Sequence, residues 1–91
     1  MNLSLEGRTA IVTGGSGGIG RGLVTCLAQE GCRVIVATRD ADKGAEVAEA
    51  ATGGPGEAHV IATDVTDRAA VNALVEEVAS RFGAVDVLVN N

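Results

Sequence analysis

TGGSGGIG, the stretch from Thr13 to Gly20, decides the fold. A short β-rich run, TAIVT at residues 9–13, leads into it, and a segment with apolar residues at helical spacing follows it. A strand followed by a glycine-rich turn and then by a helix is typical of the first unit of a parallel α/β sheet. The start of such a helix presents unpaired N–H groups and a positive dipole end, which favour an anion. The stretch therefore predicts a phosphate-binding turn.

Glycine spacing within this turn leaves the register open. Three sets fit, and they are Gly14/Gly18/Gly20, Gly14/Gly17/Gly20 and Gly15/Gly17/Gly20. The last of them is the general dinucleotide fingerprint. Side chains at these positions would block close approach of the backbone to a pyrophosphate. The glycines predict phosphate binding more firmly than they identify a family.

The rest of the chain alternates between strands and helices. We expect helices over Gly18–Glu30, over Ala41–Ala51 with Asp40 as its cap, and from Thr66 or Asp67 to Phe82; the further strands are Arg33–Thr38, Ala58–Thr63 and Val85–Asn90. In the first helix Ile19, Leu23, Cys26 and Leu27 are expected to face inward. This alternation predicts right-handed crossovers and a parallel sheet. The expected architecture is a Rossmann-type, doubly wound α/β sheet of order 3-2-1-4, cut after its fourth strand.

Composition and charge exclude several classes of partner. The 91 residues are 46% apolar and 21% charged, with a net charge of −5 and scattered basic residues, so no nucleic-acid or anionic-membrane surface is expected. Cys26 and Cys32 are expected to be reduced thiols without a metal, and Cys26 to pack inside. With neither a leader nor a long apolar run, the chain is expected to be soluble and cytoplasmic.

The end of the second strand bears on the choice of nucleotide. An acidic residue there binds the ribose 2′-hydroxyl of NAD(H), whereas this chain has Thr38 followed by Arg39. A guanidinium can bind 2′-phosphate oxygens bidentately, which favours NADP(H), and Ser16 offers a further hydroxyl. Arg39 paired with Asp40 or Asp42 on the surface is the alternative interpretation. NAD(H) stays possible if Asp40, instead of capping the next helix, reaches the ribose.

Four motifs together resemble the short-chain dehydrogenase/reductase family, along essentially the whole chain. They are the TGxxxGxG turn at residues 13–20, Ala37-Thr38-Arg39, the DV turn Thr63-Asp64-Val65-Thr66, and Asn90-Asn91, which is similar to the opening of the family's NNAG motif. The resemblance implies that Asp64 and Val65 contact adenine and that Asn90 borders the nicotinamide-side ribose. The residues expected to bind the cofactor are Gly14, Ser16, Gly17, Gly18, Ile19, Gly20, Thr38, Arg39, Asp64, Val65 and Asn90. The alternatives are, for Asp64, a loop carboxylate that caps the following helix and, for Asn90 and Asn91, a frayed terminus.

The family's proton donor is a tyrosine with a lysine four residues further on, and this chain has no tyrosine. Its single lysine, Lys43, is expected on the second helix, near the adenosine side. We therefore expect residues 1–91 to be the N-terminal half of one NAD(P)-binding domain, without the catalytic half and without turnover. The parent would move hydride between NADP(H) and a ketone or secondary alcohol, as a homo-oligomer. The rivals are a non-catalytic nucleotide-binding module, a truncated product and, disfavoured by Thr38, a methyltransferase.

Overall fold

The computed structural model describes residues 6–14 and 18–90, the last of them by its backbone alone. Four strands alternate with three helices. In chain order they are β1 (Thr9–Thr13), α1 (Gly18–Gln29), β2 (Arg33–Thr38), α2 (Ala41–Ala51), β3 (Glu57–Ala62), α3 (Arg68–Phe82) and β4 (Val87–Asn90). The predicted alternation of elements is confirmed.

The strands form one parallel sheet in the order β3-β2-β1-β4, as the alternation predicted. Thr13 of β1 lies in register with Ala37 of β2 and with Asn90 of β4, so the strands end at the same edge. After β3 the chain crosses to the other side of β1 to form β4. The order therefore reverses between β1 and β4, and parallel sheets bind ligands in the crevice outside such a switch point.

Alternate side chains of the central strands form two cores, one on each face of the sheet. Val12, Val34 and Val36 pack with Val24 of α1 and Val47 of α2. On the opposite face, α3 covers a second cluster built from Ile11, Ile35, Ala37, Leu74 and Val78. A strand that is buried on both faces has a nearly continuous run of apolar residues in its sequence. This explains why β1 and β2 are apolar along most of their length.

Except at Leu27, which packs against the core as expected, the inward face of α1 was predicted wrongly. Its buried residues are Gly20, Val24 and Ala28, whereas Ile19 is 77% exposed and Cys26 is also exposed. The small residues at two of the buried positions let the helix backbone approach the sheet closely. The prediction was based on side-chain hydrophobicity alone, and the buried stripe lies one residue further along the helix than predicted. Hydrophobicity does not take into account that small residues allow close packing of the helix on the sheet.

Several element boundaries differ by one or two residues from those expected. Helix α1 ends at Gln29, and β3 starts at Glu57, whose N–H donates to the carbonyl of Cys32 at 3.1 Å. Strand β4 starts at Val87, and the carboxylate of Asp86 just before it accepts a hydrogen bond from the N–H of Thr9 at 3.0 Å. Side-chain hydrogen bonds of this kind compete with the regular ladder and are not visible in hydropathy.

Candidate functional site

Hydrogen bonds join the carboxyl ends of the strands into one edge. The N–H of Gly14 donates to the carbonyl of Ala37 at 3.0 Å, and the N–H of Thr63 donates to the carbonyl of Thr38 at 2.9 Å. The hydroxyl of Thr13 donates to the carbonyl of Val89 at 3.2 Å. These bonds bring the glycine turn, the end of β2 and the segment after β3 to the same side of the sheet.

The glycine turn enters and leaves this edge as the sequence predicts. Gly14 has a φ of 65°, a left-handed conformation that favours glycine. Helix α1 starts at Gly18, and Gly18 and Ile19 are exposed while Gly20 packs inside. The first N–H groups of a helix have no intrahelical partner and suit an anion. Ser16 and Gly17 lie outside the described residues.

At the end of β2, the side chain of Thr38 is buried and that of Arg39 is exposed. The Thr38 hydroxyl oxygen accepts a hydrogen bond from the N–H of Asp40 at 3.2 Å. The Asp40 carboxylate in turn accepts from the N–H of Lys43 at 3.1 Å and caps α2. Asp40 thus has the capping role that the sequence favoured for it.

Asp64 is fixed by Thr66 at the edge next to Arg39. One carboxylate oxygen, Oδ1, accepts from the N–H of Thr66 at 3.0 Å and from its hydroxyl at 2.5 Å. The same oxygen lies 3.7 Å from Nη1 of Arg39. The hydroxyl and N–H of Thr66, with a further contribution from Arg39, lower the pKa of Asp64 from its ordinary value. Asp64 is therefore ionised at neutral pH, and Arg39 pairs with it rather than with Asp40 or Asp42.

Two positions near this edge were missed by the sequence reasoning. One is Thr66, treated there only as part of a motif or a helix cap. The other is Gly44 of α2, where an added Cβ would lie 2.8 Å from Cγ2 of Thr38 and 2.9 Å from Cγ1 of Val60. An isolated glycine inside a helical pattern is the signal that would have found it. Gly44 lets α2 pack directly against the end of β2.

Two cavities adjoin the carboxyl edge. One, of about 300 Å³, lies between β4 and the start of α3, lined by Thr13, Val65, Thr66, Arg68, Val71 and Leu88. Another, of about 250 Å³, lies between the end of β3 and α3, and Asp64 forms part of its wall. A third cavity lies at the amino end of the sheet, around Gly31 and Gly56, away from every predicted site residue. The two at the carboxyl edge are the ones that the topology associates with ligands.

Comparison with known proteins identifies the family. A sequence model of the family described as short chain dehydrogenase matches residues 8–91. The chain belongs to this family. Sorbitol dehydrogenase of Cereibacter sphaeroides is 44% identical over 89 residues, which are 98% of this chain and 34% of that protein. The short-chain dehydrogenase chain described here thus spans about a third of the length of such relatives.

Solved structures are similar to nearly all of this chain. L-sorbose reductase from Gluconobacter frateurii, complexed with NADPH and L-sorbose, is 35% identical with a TM-score of 0.90, covering 100% of this chain and 35% of that one. A metagenomic short-chain oxidoreductase in complex with NADP is 36% identical with a TM-score of 0.87, covering 93% of this chain and 38% of that one. The family resemblance inferred from the motifs is confirmed.

Two further observations concern the part of this short-chain dehydrogenase that the structure describes. Within residues 6–14 and 18–90, no three His, Cys, Asp or Glu side chains lie close enough together to form a metal site. None of the described helices has the length and apolar character needed to cross a membrane.

Proposed function

We propose that this chain is the nucleotide-binding part of an oxidoreductase that transfers hydride between NADP(H) and a ketone or secondary alcohol. Residues 1–91 form the N-terminal half of the dinucleotide-binding domain in this proposal. The names of the relatives support hydride transfer, since one is a dehydrogenase and another is a reductase complexed with NADPH. When bound, the nicotinamide supplies or accepts the hydride. What these 91 residues contribute is binding and orientation of the nucleotide.

The preference for NADP(H) depends on the end of β2. Thr38 stands where an acidic residue would repel a 2′-phosphate, and its own side chain is turned into the protein. The side chain of Arg39 is 69% exposed at the same edge. A guanidinium has five N–H donors and binds phosphate bidentately. This accessible positive charge is the single observation that carries the cofactor assignment.

The remaining contacts follow from the arrangement of the edge. The backbone around Gly14, Gly18 and Gly20 binds the diphosphate in this proposal, with Ser16 and Gly17 completing the turn. Ile19 covers the cofactor on the side of α1, and its 77% exposure leaves room for that contact. Asp64 and Val65 adjoin the adenine, and Asn90 borders the nicotinamide-side ribose.

Arg39→Ala tests the cofactor assignment. We expect the affinity for NADPH to fall roughly 10- to 100-fold, because charge-assisted hydrogen bonds contribute about 1.5–3 kcal/mol, while the affinity for NADH changes little. Dissociation constants from fluorescence titration of the chain with each nucleotide provide the measurement. Arg81→Ala is the matched control, since Arg81 is exposed and pairs with Glu77 of the same helix rather than with a predicted site residue. Equal losses for NADPH and NADH in Arg39→Ala would refute the assignment.

A non-catalytic nucleotide-binding module is the second candidate function. The observation in its favour is that the sequence contains no tyrosine and that its single lysine, Lys43, lies exposed on α2. Proton donation to a developing alkoxide needs a group placed at the reacting carbonyl. We expect the purified chain to bind NADPH without oxidising it when a ketone is added. Sustained loss of absorbance at 340 nm from a homogeneous preparation would contradict this expectation.

A further inference from the structure

Asp64 is a carboxylate that lies next to Arg39, the residue proposed to bind the 2′-phosphate. Its Oδ1 atom receives both hydrogen bonds from Thr66 and lies nearest Nη1 of Arg39. Because two donors from one residue fix this oxygen, the carboxylate cannot swing freely. A fixed, ionised carboxylate beside a long and flexible arginine restricts where the guanidinium lies.

The geometry of the pair leaves Arg39 able to bind something else. Arg39 contacts Asp64 through Nη1, at 3.7 Å from Oδ1, and the guanidinium has further N–H donors along its other edge. The two side chains are 69% and 45% exposed, so the pair is weak and open to solvent. A phosphate can therefore approach the remaining donors while Asp64 stays in contact with Nη1.

We propose that Asp64, fixed by Thr66, is a positioning residue that orients the Arg39 guanidinium for the 2′-phosphate and so contributes to cofactor selectivity. This inference rests on the proposed function, because it assumes that Arg39 binds the 2′-phosphate. The role is additional to the adenine contact expected of Asp64. An adenine contact changes affinity for both nucleotides alike, whereas a positioning role changes only the affinity that depends on the extra phosphate.

Asp64→Asn provides the test. The asparagine oxygen still accepts hydrogen bonds from Thr66, but the charge facing Arg39 is lost. Calorimetric titrations use adenosine 2′,5′-bisphosphate and AMP, which differ in the 2′-phosphate, on the wild-type chain, Asp64→Asn, Arg39→Ala and the double variant. We expect Asp64→Asn to lower the ratio of the two affinities roughly two- to fivefold, the range of an exposed ion pair. In the Arg39→Ala background it should not change the ratio further.

Asp67→Asn is the matched control. It removes the same charge three residues along the chain, and asparagine also caps helices well, so α3 keeps its cap. The ratio should stay at the wild-type value in this variant.

The outcomes separate the two proposals. An unchanged or increased ratio in Asp64→Asn, or the same decrease in the Arg39→Ala background, would overturn the positioning role alone. No effect of Arg39→Ala on the ratio, or no binding of either nucleotide, would overturn the proposed function and the positioning role with it.

Discussion

Gly44 shows how a single hydrogen atom sets the distance between a helix and the sheet. A methyl group at this position would lie within 3.0 Å of both Thr38 and Val60, and neither of these branched side chains has a flexible end that can move aside. Gly44→Ala must therefore push α2 outward. Overpacking costs about 1–3 kcal/mol, against a gain of about 1 kcal/mol in helix propensity. We expect a net loss of about 1 kcal/mol in the free energy of unfolding, measured with urea.

Gly22→Ala is the control for this prediction. Gly22 also lies within a helix, α1, but an added Cβ there meets nothing within 4 Å. The same substitution should stabilise the chain by about 1 kcal/mol through helix propensity alone. Equal changes in the two variants would show that the contact at Gly44 has no energetic consequence.

Individual residues were predictable where backbone chemistry requires them. The left-handed backbone at Gly14 and the Asp40 cap follow from conformational and hydrogen-bonding rules that act within a few residues. The partner of Arg39 did not follow from such rules. Asp64 lies 25 positions away in the sequence, and only the pairing of β2 with β3 brings the two side chains together. The alternative interpretation of Arg39 named Asp40 or Asp42 as its partner, and the structure has Asp64 in that place.

At the scale of elements, an ion pair between Arg33 of β2 and Glu57 of β3 links the edge strand to its neighbour. Nε of Arg33 donates to Glu57 at 2.6 Å, and Nη1 of Arg33 donates to the carbonyl of Phe82 at the end of α3. The hydrogen bond from Arg33 lowers the pKa of Glu57 below its ordinary value of 4.5. A carboxyl whose pKa is lowered by folding stabilises the fold above its unfolded pKa. That stability is lost as the pH falls through the folded value.

Glu57→Gln should accordingly destabilise the chain near neutral pH, and its difference from the wild type should shrink progressively as the pH falls below 4.5. The expected difference in unfolding free energy at pH 7 is less than about 1 kcal/mol, because Glu57 is half exposed and solvent screens the pair. Urea unfolding of both proteins between pH 7 and pH 3.5 provides the measurement. Glu46→Gln, on the exposed face of α2, should show no such convergence. A difference that grows on acidification would contradict the role of the ion pair.

The elements differ in how well hydropathy predicts their inward faces. Strands β1 and β2 were predictable because both of their faces are buried, so no choice between faces arises. Helix α1 presents two candidate stripes one residue apart, and close approach to the sheet selected the one with Gly20 and Ala28. In α3 the apolar residues at helical spacing do face inward, with Leu74 and Val78 buried and Val75 and Phe82 packed against the same cluster. Periodicity predicts that a helix exists more reliably than which face it buries.

At the scale of the whole molecule, the two edges of the sheet are unequal. Strand β3 carries a charged residue, Glu57, at its exposed start. Strand β4 carries Leu88, which is 52% exposed and forms part of the wall of the cavity beside α3. Exposed apolar edge strands pair with other chains, whereas charged residues on an edge discourage pairing. The sheet order, which the alternation of elements predicted, also determines which strand has this exposed position.

We expect the purified chain to self-associate through β4, and Leu88→Lys to shift it toward the monomer. A lysine at this position keeps its ammonium in water and makes strand pairing at the edge costly. Sedimentation velocity over a hundredfold range of concentration measures the change, as a lower weight-average mass at each concentration. Ser80→Lys, which adds the same charge on the exposed side of α3, should leave association unchanged. If both variants behaved alike, net charge rather than the edge of β4 would control association, because only one of the two alters that edge.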